Sequence, residues 1–289
     1  MQKTRLLKNL AAQRNAIMLP GAANAMFARV IEDLGFKAVY VTGAGIANMH
    51  LGAPDVGLTT VSEVANTVAA ISDAVDLPLV VDADTGFGNA VNTIRTVKLL
   101  ERAGASAIQL EDQVFPKKCG HFNGKDVIAS GEMVQKIKAA VDARNDQDLM
   151  IIARTDARAI EGLDAALDRA HAYIEAGADM TFVEAPQSVD ELKRIAGELN
   201  QPQVANIVFG GKTPDPGNAV LAQSGFAFVL YANAVLQAAL RASTEVLTAL
   251  RDDGSLASVA DKLAGFDERQ RSVNKDIWDG FETKYQQAN

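Results

Sequence analysis

The chain repeats one pattern of hydrophobic and polar positions: a helical stretch, a glycine, and a short apolar run that ends in polar residues. The four clearest copies have the glycine and the following run at Gly35 and 38–41, Gly104 and 107–110, Gly177 and 180–183, and Gly225 and 226–230. A glycine at the end of a helix supplies the left-handed residue that terminates many helices. A short, continuously apolar run is typical of a parallel strand that is buried on both faces.

Four further apolar runs fill the gaps between these copies, at 16–19, 79–81, 150–153 and 203–205. Helical patterns lie between the runs, at 60–75, 91–103, 132–144 and 163–176. Eight strands that alternate with helices, with no linker-like change in composition, predict one (β/α)8 TIM barrel of the α/β class. A doubly wound open sheet is the alternative, because periodicity does not reveal whether a sheet closes.

The chain beyond the eighth apolar run is helical, with patterns over 234–250, 255–263 and 268–283. This is more helix than the eighth helix of a barrel requires. We therefore interpret residues 1–289 as a single barrel domain in which 234–289 form a C-terminal helical extension. The surplus helix is expected to cap the barrel or to pack against another subunit.

Composition narrows the possible functions. With 48% hydrophobic and 22% charged residues among 289, the chain can bury a sizeable core. A net charge of −8 argues against nucleic-acid and anionic membrane surfaces, which require clustered positive charge. No apolar segment reaches the roughly 18 residues that span a bilayer, and no signal-peptide core is present. One cysteine fits a reducing compartment, so we expect a cytoplasmic protein whose partner is a small molecule.

Acidic residues follow several of the predicted strands, at the ends where a TIM barrel builds its active site. They are Asp82, Asp84, Glu111 and Glu184. Such acids repel one another unless a cation lies among them, and oxygen ligands favour Mg²⁺. Zinc is disfavoured, because there is one cysteine and no cluster of histidines. Each acid taken alone could equally be a helix cap or a solvated loop residue.

Other strand ends carry residues suited to an anionic ligand. Arg154 can bind a carboxylate or phosphate in bidentate fashion, or it can instead pair with Asp156 or Glu184. The turn at 42–45 offers backbone N–H groups that can approach an anion closely. Tyr40, in the strand before this turn, can face the barrel centre, although a strand tyrosine more often has a packing role.

The run at 117–121, Lys-Lys-Cys-Gly-His, contains the only cysteine and one of three histidines. A thiol beside Lys and His side chains has a stabilised thiolate and is therefore reactive. A lone cysteine is more commonly a small buried hydrophobe, but these neighbours supply no apolar lining. The run is accordingly predicted to be a functional loop.

With these residues assembled, the sequence resembles the isocitrate lyase/phosphoenolpyruvate mutase superfamily over essentially its full length. The matching motifs lie at 80–89, 111–113, 117–121 and 152–156. Within the superfamily it looks most like the 2,3-dimethylmalate lyase/2-methylisocitrate lyase branch, often labelled carboxyvinyl-carboxyphosphonate phosphorylmutase. The resemblance implies a TIM barrel whose last helix is exchanged between subunits, usually in a homotetramer, and a Mg²⁺ or Mn²⁺ site.

The motif match also implies roles for individual residues. The metal would be held by Asp82 and Asp84, with support from Asp55 and Glu111. Substrate would be bound by Thr42, Gly43, Ala44, Gly120, Arg154, Glu184 and Asn206. Catalysis would involve Cys119 as the acid, Lys117 and His121 as compensating charges, and Tyr40 or a metal-bound water as the base.

The reaction implied by the resemblance is metal-dependent cleavage of a 2-hydroxy dicarboxylate by retro-aldol chemistry, giving a 2-oxo acid such as pyruvate and a carboxylate. Gln237 and Phe266 stand where methylisocitrate-cleaving relatives carry basic residues, which favours a smaller substituted malate. Ala232 stands where oxaloacetate-hydrolysing relatives carry serine. Oxaloacetate decarboxylation is the alternative and would not need Cys119. A phosphonomutase ranks lower because such enzymes generally lack the Cys-Gly-His loop, and a barrel that only binds a dicarboxylate ranks lowest.

Overall fold

The structure is a computed structural model that describes residues 2–120, 122 and 124–286. The chain divides into two compact units, Met1–Ala234 and Val235–Asn289. No helix in the described part of the chain is both long and apolar enough to cross a membrane.

The first unit is built on parallel strands, of which the described residues form eight. They are β1 (Ile17–Ala22), β2 (Val39–Val41), β3 (Leu79–Asp82), β4 (Ala107–Glu111), β5 (Met150–Thr155), β6 (Met180–Val183), β7 (Val204–Asn206) and β8 (Phe228–Tyr231). Neighbouring strands follow the order β6-β5-β4-β3-β2-β1-β8-β7. A parallel bridge between Thr181 and Gln203 joins the two outer strands. The predicted TIM barrel is therefore confirmed, and the open-sheet alternative is wrong.

Helices accompany these strands; the first precedes β1, and the others connect one strand to the next. They are α1 (Lys3–Ala12), α2 (Ala25–Asp33), α3 (Gly43–His50), α4 (Val61–Ala74), α5 (Ala90–Ala103), α6 (Ser130–Ala143), α7 (Leu163–Glu175), α8 (Val189–Glu198) and α9 (Asn218–Ser224). A short 3-10 turn spans Ala157–Ala159. The four glycines predicted to follow helices all have positive φ, between 80° and 107°.

Successive side chains along each strand point alternately into the barrel and out towards the helices, which divides the core into two layers. On β2, Tyr40 packs inside the barrel, whereas Val39 and Val41 pack against the surrounding helices. Leu7 and Ala11 of α1 belong to the interior layer and cover its amino-terminal end. The polar residues that end the strands therefore meet at the opposite, carboxyl end of the barrel.

The second unit is helical. It contains α10 (Ala234–Asp253, which begins at the last residue of the first unit), a 3-10 segment (Ala257–Lys262), α11 (Phe266–Ser272) and α12 (Lys275–Tyr285). The prediction of one helix over 268–283 was wrong, because Asn274 has a left-handed φ of 54° and separates α11 from α12. Asparagine tolerates this conformation better than most residues. Of the described residues in this unit, only Val259 is buried.

Gly21 on β1 provides a test of the barrel packing. A Cβ at this position would lie 2.0 Å from the carbonyl oxygen of Ala232, so Gly21→Ala must displace backbone. We expect the free energy of unfolding to fall by about 3 kcal/mol in urea denaturation. The matched control is Gly197→Ala on α8, where no atom of the described residues lies within 4 Å and stability should rise by up to about 1 kcal/mol. Equal stability of the two variants would contradict the packing.

Candidate active site

A cavity of about 200 Å³ opens at the carboxyl end of the barrel. Twelve of the residues predicted from the sequence line it: Tyr40, Thr42, Ala44, Asp55, Asp82, Glu111, Lys117, Cys119, Gly120, Arg154, Glu184 and Asn206. Gly43 and Asp84 lie directly behind this lining. His121 lies outside the described residues. The structure thus brings together side chains from strands and loops spread over 166 positions of sequence, from Tyr40 to Asn206.

Asp82 and Asp84 converge because β3 ends between them. The N–H of Asp84 donates to Asp82 Oδ1 at 3.2 Å, and Asp84 has a left-handed φ of 46°. The N–H of Gly43, at the start of α3, donates to Asp82 Oδ2 at 3.3 Å. A Cβ on residue 43 would lie only 3.0 Å from Asp82 Oδ2, so glycine is what allows this approach. Gly43 therefore contributes by supporting Asp82, while Thr42 and Ala44 face the cavity.

Lys117 joins Asp55 to this pair. Its buried ammonium lies 2.7 Å from Asp84 Oδ1 and is hydrogen-bonded to Asp55 Oδ1. Burial alone would lower the pKa of Lys117, but the surrounding carboxylates, Asp84 foremost, raise it well above its usual range. Burial raises the pKa of Asp84 to about 6, against the opposing effect of Lys117. The ammonium consequently stays charged among the acids.

The acid group has the chemistry of a hard-metal site. Glu111 Oε1 is buried and accepts no hydrogen bond from the described residues, and Asp84 Oδ1 is buried against the Lys117 ammonium. Among the described residues, no three His, Cys, Asp or Glu side chains are arranged to hold an ion by themselves. Mg²⁺ commonly takes one or two protein carboxylates and completes its shell with water and substrate. The residues present fit such an ion.

Arg154 pairs with several acids and also lines the cavity. Its Nε and Nη2 donate to the two carboxylate oxygens of Asp156 at 2.9 and 3.1 Å. Nη2 also lies 3.2 Å from Glu184 Oε2, and Nε lies 3.3 Å from Glu111 Oε2. The pairing that the sequence left open is therefore present, and it orients the guanidinium at the cavity wall.

Glu184 and Asn206 form a second polar contact across the rim. Asn206 Nδ2 donates to Glu184 Oε2 at 3.2 Å. Ala185 has a left-handed φ of 57°, and its N–H donates to Glu184 Oε1 at 2.9 Å. Asn206 Oδ1 is buried and accepts no hydrogen bond from any residue that the structure describes. A hydroxyl or N–H of a ligand can satisfy such an acceptor.

Tyr40 is buried beneath the acids. Its O–H donates to Gln109 Oε1 at 3.1 Å, and Gln109 Nε2 donates to Asp82 Oδ1 at 3.4 Å. Burial raises the pKa of Tyr40 well above 10, and the charge of Asp82 raises it further. The raised pKa disfavours the phenolate that a general base would require, and in its contact with Gln109 Oε1 the phenol acts as a hydrogen-bond donor.

Cys119 is half-buried and lines the cavity, as expected of a functional loop. Its N–H donates to the Asp55 carbonyl at 3.2 Å, and its carbonyl accepts from the Phe122 N–H at 2.8 Å. Gly120 packs so closely on Arg154 that a Cβ would lie 2.4 Å from Nη2. The loop thus presents the thiol to the same space as Arg154 and Asp82.

Several site residues were missed from the sequence. The apolar part of the lining comes from Phe122, Val208, Phe209, Leu230 and Ala232, of which only Ala232 was considered from the sequence. The rule that loops after strands build the site would have found Val208 and Phe209, since they follow β7. Gln109 and Lys125 carry no comparable signal, because their roles depend on partners brought close only by folding.

The barrel and its site match the family model for phosphoenolpyruvate phosphomutase over residues 7–251. The chain belongs to this family.

The curated relatives include lyases. The chain is 48% identical over 262 residues to 2,3-dimethylmalate lyase of Eubacterium barkeri, covering 91% of each chain. It is 45% identical over 258 residues to 2-methylisocitrate lyase of Aeropyrum pernix, covering 89% of this chain and 83% of the relative.

Solved structures show the same fold. A crystal structure of 2,3-dimethylmalate lyase has a TM-score of 0.93 and 31% identity, over 98% of this chain and 95% of the other. A structure of phosphonopyruvate hydrolase with oxalate and Mg²⁺ has a TM-score of 0.89 and 30% identity, over 99% of each chain.

Asp156 provides a test of the buried charges. Burial would raise its pKa, but Arg154 and Lys125 lower it below the ordinary value. The stability it contributes is therefore complete above the ordinary carboxyl pKa of about 4 and declines at lower pH. We expect Asp156→Asn to lower the free energy of unfolding by about 3 kcal/mol at neutral pH, and by less in acid.

The control for this measurement is Glu198→Gln, which breaks an exposed pair with Arg194 and should change stability by less than about 0.5 kcal/mol. A loss for Asp156→Asn as small as that of the control would contradict the importance of the buried charges.

Proposed function

We propose that this chain is a metal-dependent carbon–carbon lyase that cleaves a 2-hydroxy dicarboxylate to a 2-oxo acid and a carboxylate. The observation that carries the proposal is that the only thiol in the sequence lines the same cavity as Asp82 and Arg154. The relatives named lyases, which match about nine-tenths of the chain, support the reaction class.

The preferred substrate is a substituted malate such as 2,3-dimethylmalate, with 2-methylisocitrate as the second choice. Val208, Leu230 and Ala232 give one side of the cavity an apolar surface, which suits small alkyl substituents better than a third carboxylate. The resemblance noted in the sequence, by which Gln237 and Phe266 replace basic residues of methylisocitrate-cleaving relatives, supports the same preference.

The metal is proposed to be Mg²⁺ or Mn²⁺, held by Asp82 and Asp84 with support from Asp55 and Glu111. When bound, the ion supplies Lewis-acid polarisation of the substrate oxygens. The oxygen-only donor set and the buried acceptor on Glu111 support this assignment. A Mg²⁺ complex is also known for phosphonopyruvate hydrolase, which shares the fold.

The remaining residues bind the two ends of the substrate. Thr42 and Ala44, at the amino-terminal end of α3, take the end that becomes the 2-oxo acid, together with Arg154. Gly43 keeps Asp82 in place through its N–H. Glu184 and Asn206 take the end that becomes the second product, where Asn206 Oδ1 is an available acceptor.

Cleavage requires two proton movements. A base removes the hydroxyl proton of the substrate, the carbon–carbon bond breaks, and its electron pair stays on the departing carboxylate fragment. The thiol of Cys119 then donates its proton to that carbon. Burial raises the pKa of Tyr40, which disfavours its ionised form, so we assign the base to a water molecule. Lys117 and Arg154 offset the developing negative charge, and the same role for His121 remains a prediction.

The test of the lyase is Cys119→Ala assayed on 2,3-dimethylmalate and on oxaloacetate. Loss of the proton donor should reduce dimethylmalate cleavage by about 100-fold or more. Decarboxylation of oxaloacetate, if the enzyme performs it, needs no thiol and should persist in the variant. Removing divalent metal with EDTA should abolish both reactions, and Mg²⁺ should restore them.

Two results would overturn the lyase. One is a wild-type enzyme inactive on malate, 2-methylmalate, 2,3-dimethylmalate and 2-methylisocitrate in the presence of Mg²⁺. The other is Cys119→Ala that retains full lyase activity. Turnover of oxaloacetate alone would instead identify a decarboxylase.

We also propose a cytoplasmic location. The only cysteine in the sequence is needed here as a thiol, which fits the reducing conditions of the cytoplasm.

We further propose that α10 is exchanged between copies in a homotetramer. Met18 points outward from β1 and is 45% exposed, although helices cover the outward faces of strands in a TIM barrel. Helix α10 has no buried residue, and its Leu240 and Leu247 are more than 60% exposed. Covering both surfaces with each other would remove apolar area from water in two places.

Analytical ultracentrifugation should therefore give a mass four times 30.6 kDa. Leu247→Asp, which places a charge on α10, should lower that mass, because the exchange would bury an unpaired carboxylate. The control Val91→Asp, at an exposed position on α5, should leave it unchanged. A monomer at micromolar concentration would refute the exchange.

A further inference from the structure

We propose that Lys125 is a positioning residue that fixes Cys119 in the cavity. Lys125 is buried, with 8% of its surface exposed. Its ammonium lies 2.5 Å from Asp156 Oδ1 and is also hydrogen-bonded to the Gly120 carbonyl. One side chain therefore ties the residue next to the thiol to the end of β5. Only the predicted effect on kcat rests on the proposed function.

The contact at Gly120 explains why such a tie is needed. The Gly120 backbone lies against Arg154 and Glu184, where a Cβ would be 2.4 Å from Arg154 Nη2 and 2.8 Å from the Glu184 carboxyl carbon. A loop seated this closely has little tolerance for displacement. The bond from Lys125 to the Gly120 carbonyl holds the backbone at this point, and the position of Cys119 follows from it.

The same bond couples the thiol to the substrate-binding arginine. Asp156 is fully buried and accepts two hydrogen bonds from Arg154 as well as the one from Lys125. The loop and the guanidinium are therefore oriented by one carboxylate. A lysine suits this role because its ammonium can donate to two acceptors at once.

A simpler role for Lys125 is neutralisation of Asp156, which would affect stability alone. The two roles differ in what they predict for the thiol. A stabilising residue can be lost without moving Cys119, provided that the protein remains folded. A positioning residue cannot, because its loss releases the Gly120 carbonyl.

The decisive experiment measures the alkylation of Cys119 by iodoacetamide in Lys125→Met. Because the sequence contains a single cysteine, the rate reports one site without any turnover. We expect alkylation to accelerate on the order of tenfold when the charged hydrogen bond is lost, compared at the plateau of the pH profile. Lys125→Arg, which keeps the charge and the donors, should remain within threefold of the wild type. Lys138→Met, at an exposed position on α6, is the matched control and should not change the rate.

The kinetic readout is steady-state cleavage of 2,3-dimethylmalate. A displaced proton donor should lower kcat by about 100-fold and leave KM within threefold, because the substrate-binding groups remain. If the wild type cleaves no dicarboxylate, the proposed function fails while the alkylation result still decides the role of Lys125. An alkylation rate within twofold of the wild type in folded Lys125→Met would overturn the inference.

Loss of the lysine alone leaves Asp156 with less compensation, which can prevent folding. In that event Lys125→Met combined with Asp156→Asn removes one positive and one negative charge, so the net buried charge is unchanged, while Arg154 keeps Glu184 and Glu111 as partners. Circular dichroism establishes that this variant is folded. The same faster alkylation is expected of it, and an unchanged rate in the folded double variant would again overturn the inference.

Discussion

The compensation of buried charge at the carboxyl end of the barrel is the constraint on which the site depends. Asp82, Asp84, Glu111, Asp156 and Glu184 are all nearly or completely buried. An isolated buried carboxylate is strongly unfavourable, so each must have a cation or a directed donor nearby. Three buried cations supply this compensation: Lys117, Lys125 and Arg154. Two of the three come from the loop that carries Cys119, so the loop and the acids stabilise each other's positions.

The repeated chain pattern made the barrel predictable. A strand buried on both faces leaves a continuous apolar run, and the glycines that end helices adopt positive φ, so all eight strands were located from sequence. The convergence of Asp82, Glu111 and Glu184 followed because parallel strands end at the same side. The hydrophobic pattern could not show a backbone conformation that depends on a single residue. Asn274 divides a helical pattern that hydrophobicity alone leaves continuous.

The parts of the site that escaped prediction are those decided by tertiary contact. Gln109 reads as an ordinary strand residue, yet its amide connects Tyr40 to Asp82. Lys125 reads as a solvated loop lysine, yet its ammonium is enclosed between a carbonyl and a carboxylate. Both are polar side chains whose environment depends on residues distant in sequence. Sequence spacing carries no information about such partners unless a motif supplies it.

The closure of the barrel has a consequence for its ligands. Strands β6 and β7 meet through one isolated bridge at Thr181 and Gln203, whose side chains are hydrogen-bonded at 2.7 Å. Nearer the carboxyl ends of the same two strands, Asn206 and Glu184 are joined by a side-chain hydrogen bond. A ligand that contacts both Glu184 and Asn206 would therefore add an interaction between β6 and β7, the neighbouring strands with the fewest backbone pairings among the described residues. Ligand binding and the stability of the barrel would then be thermodynamically linked, so that the β6–β7 contact opens more readily in the ligand-free enzyme than in the complex.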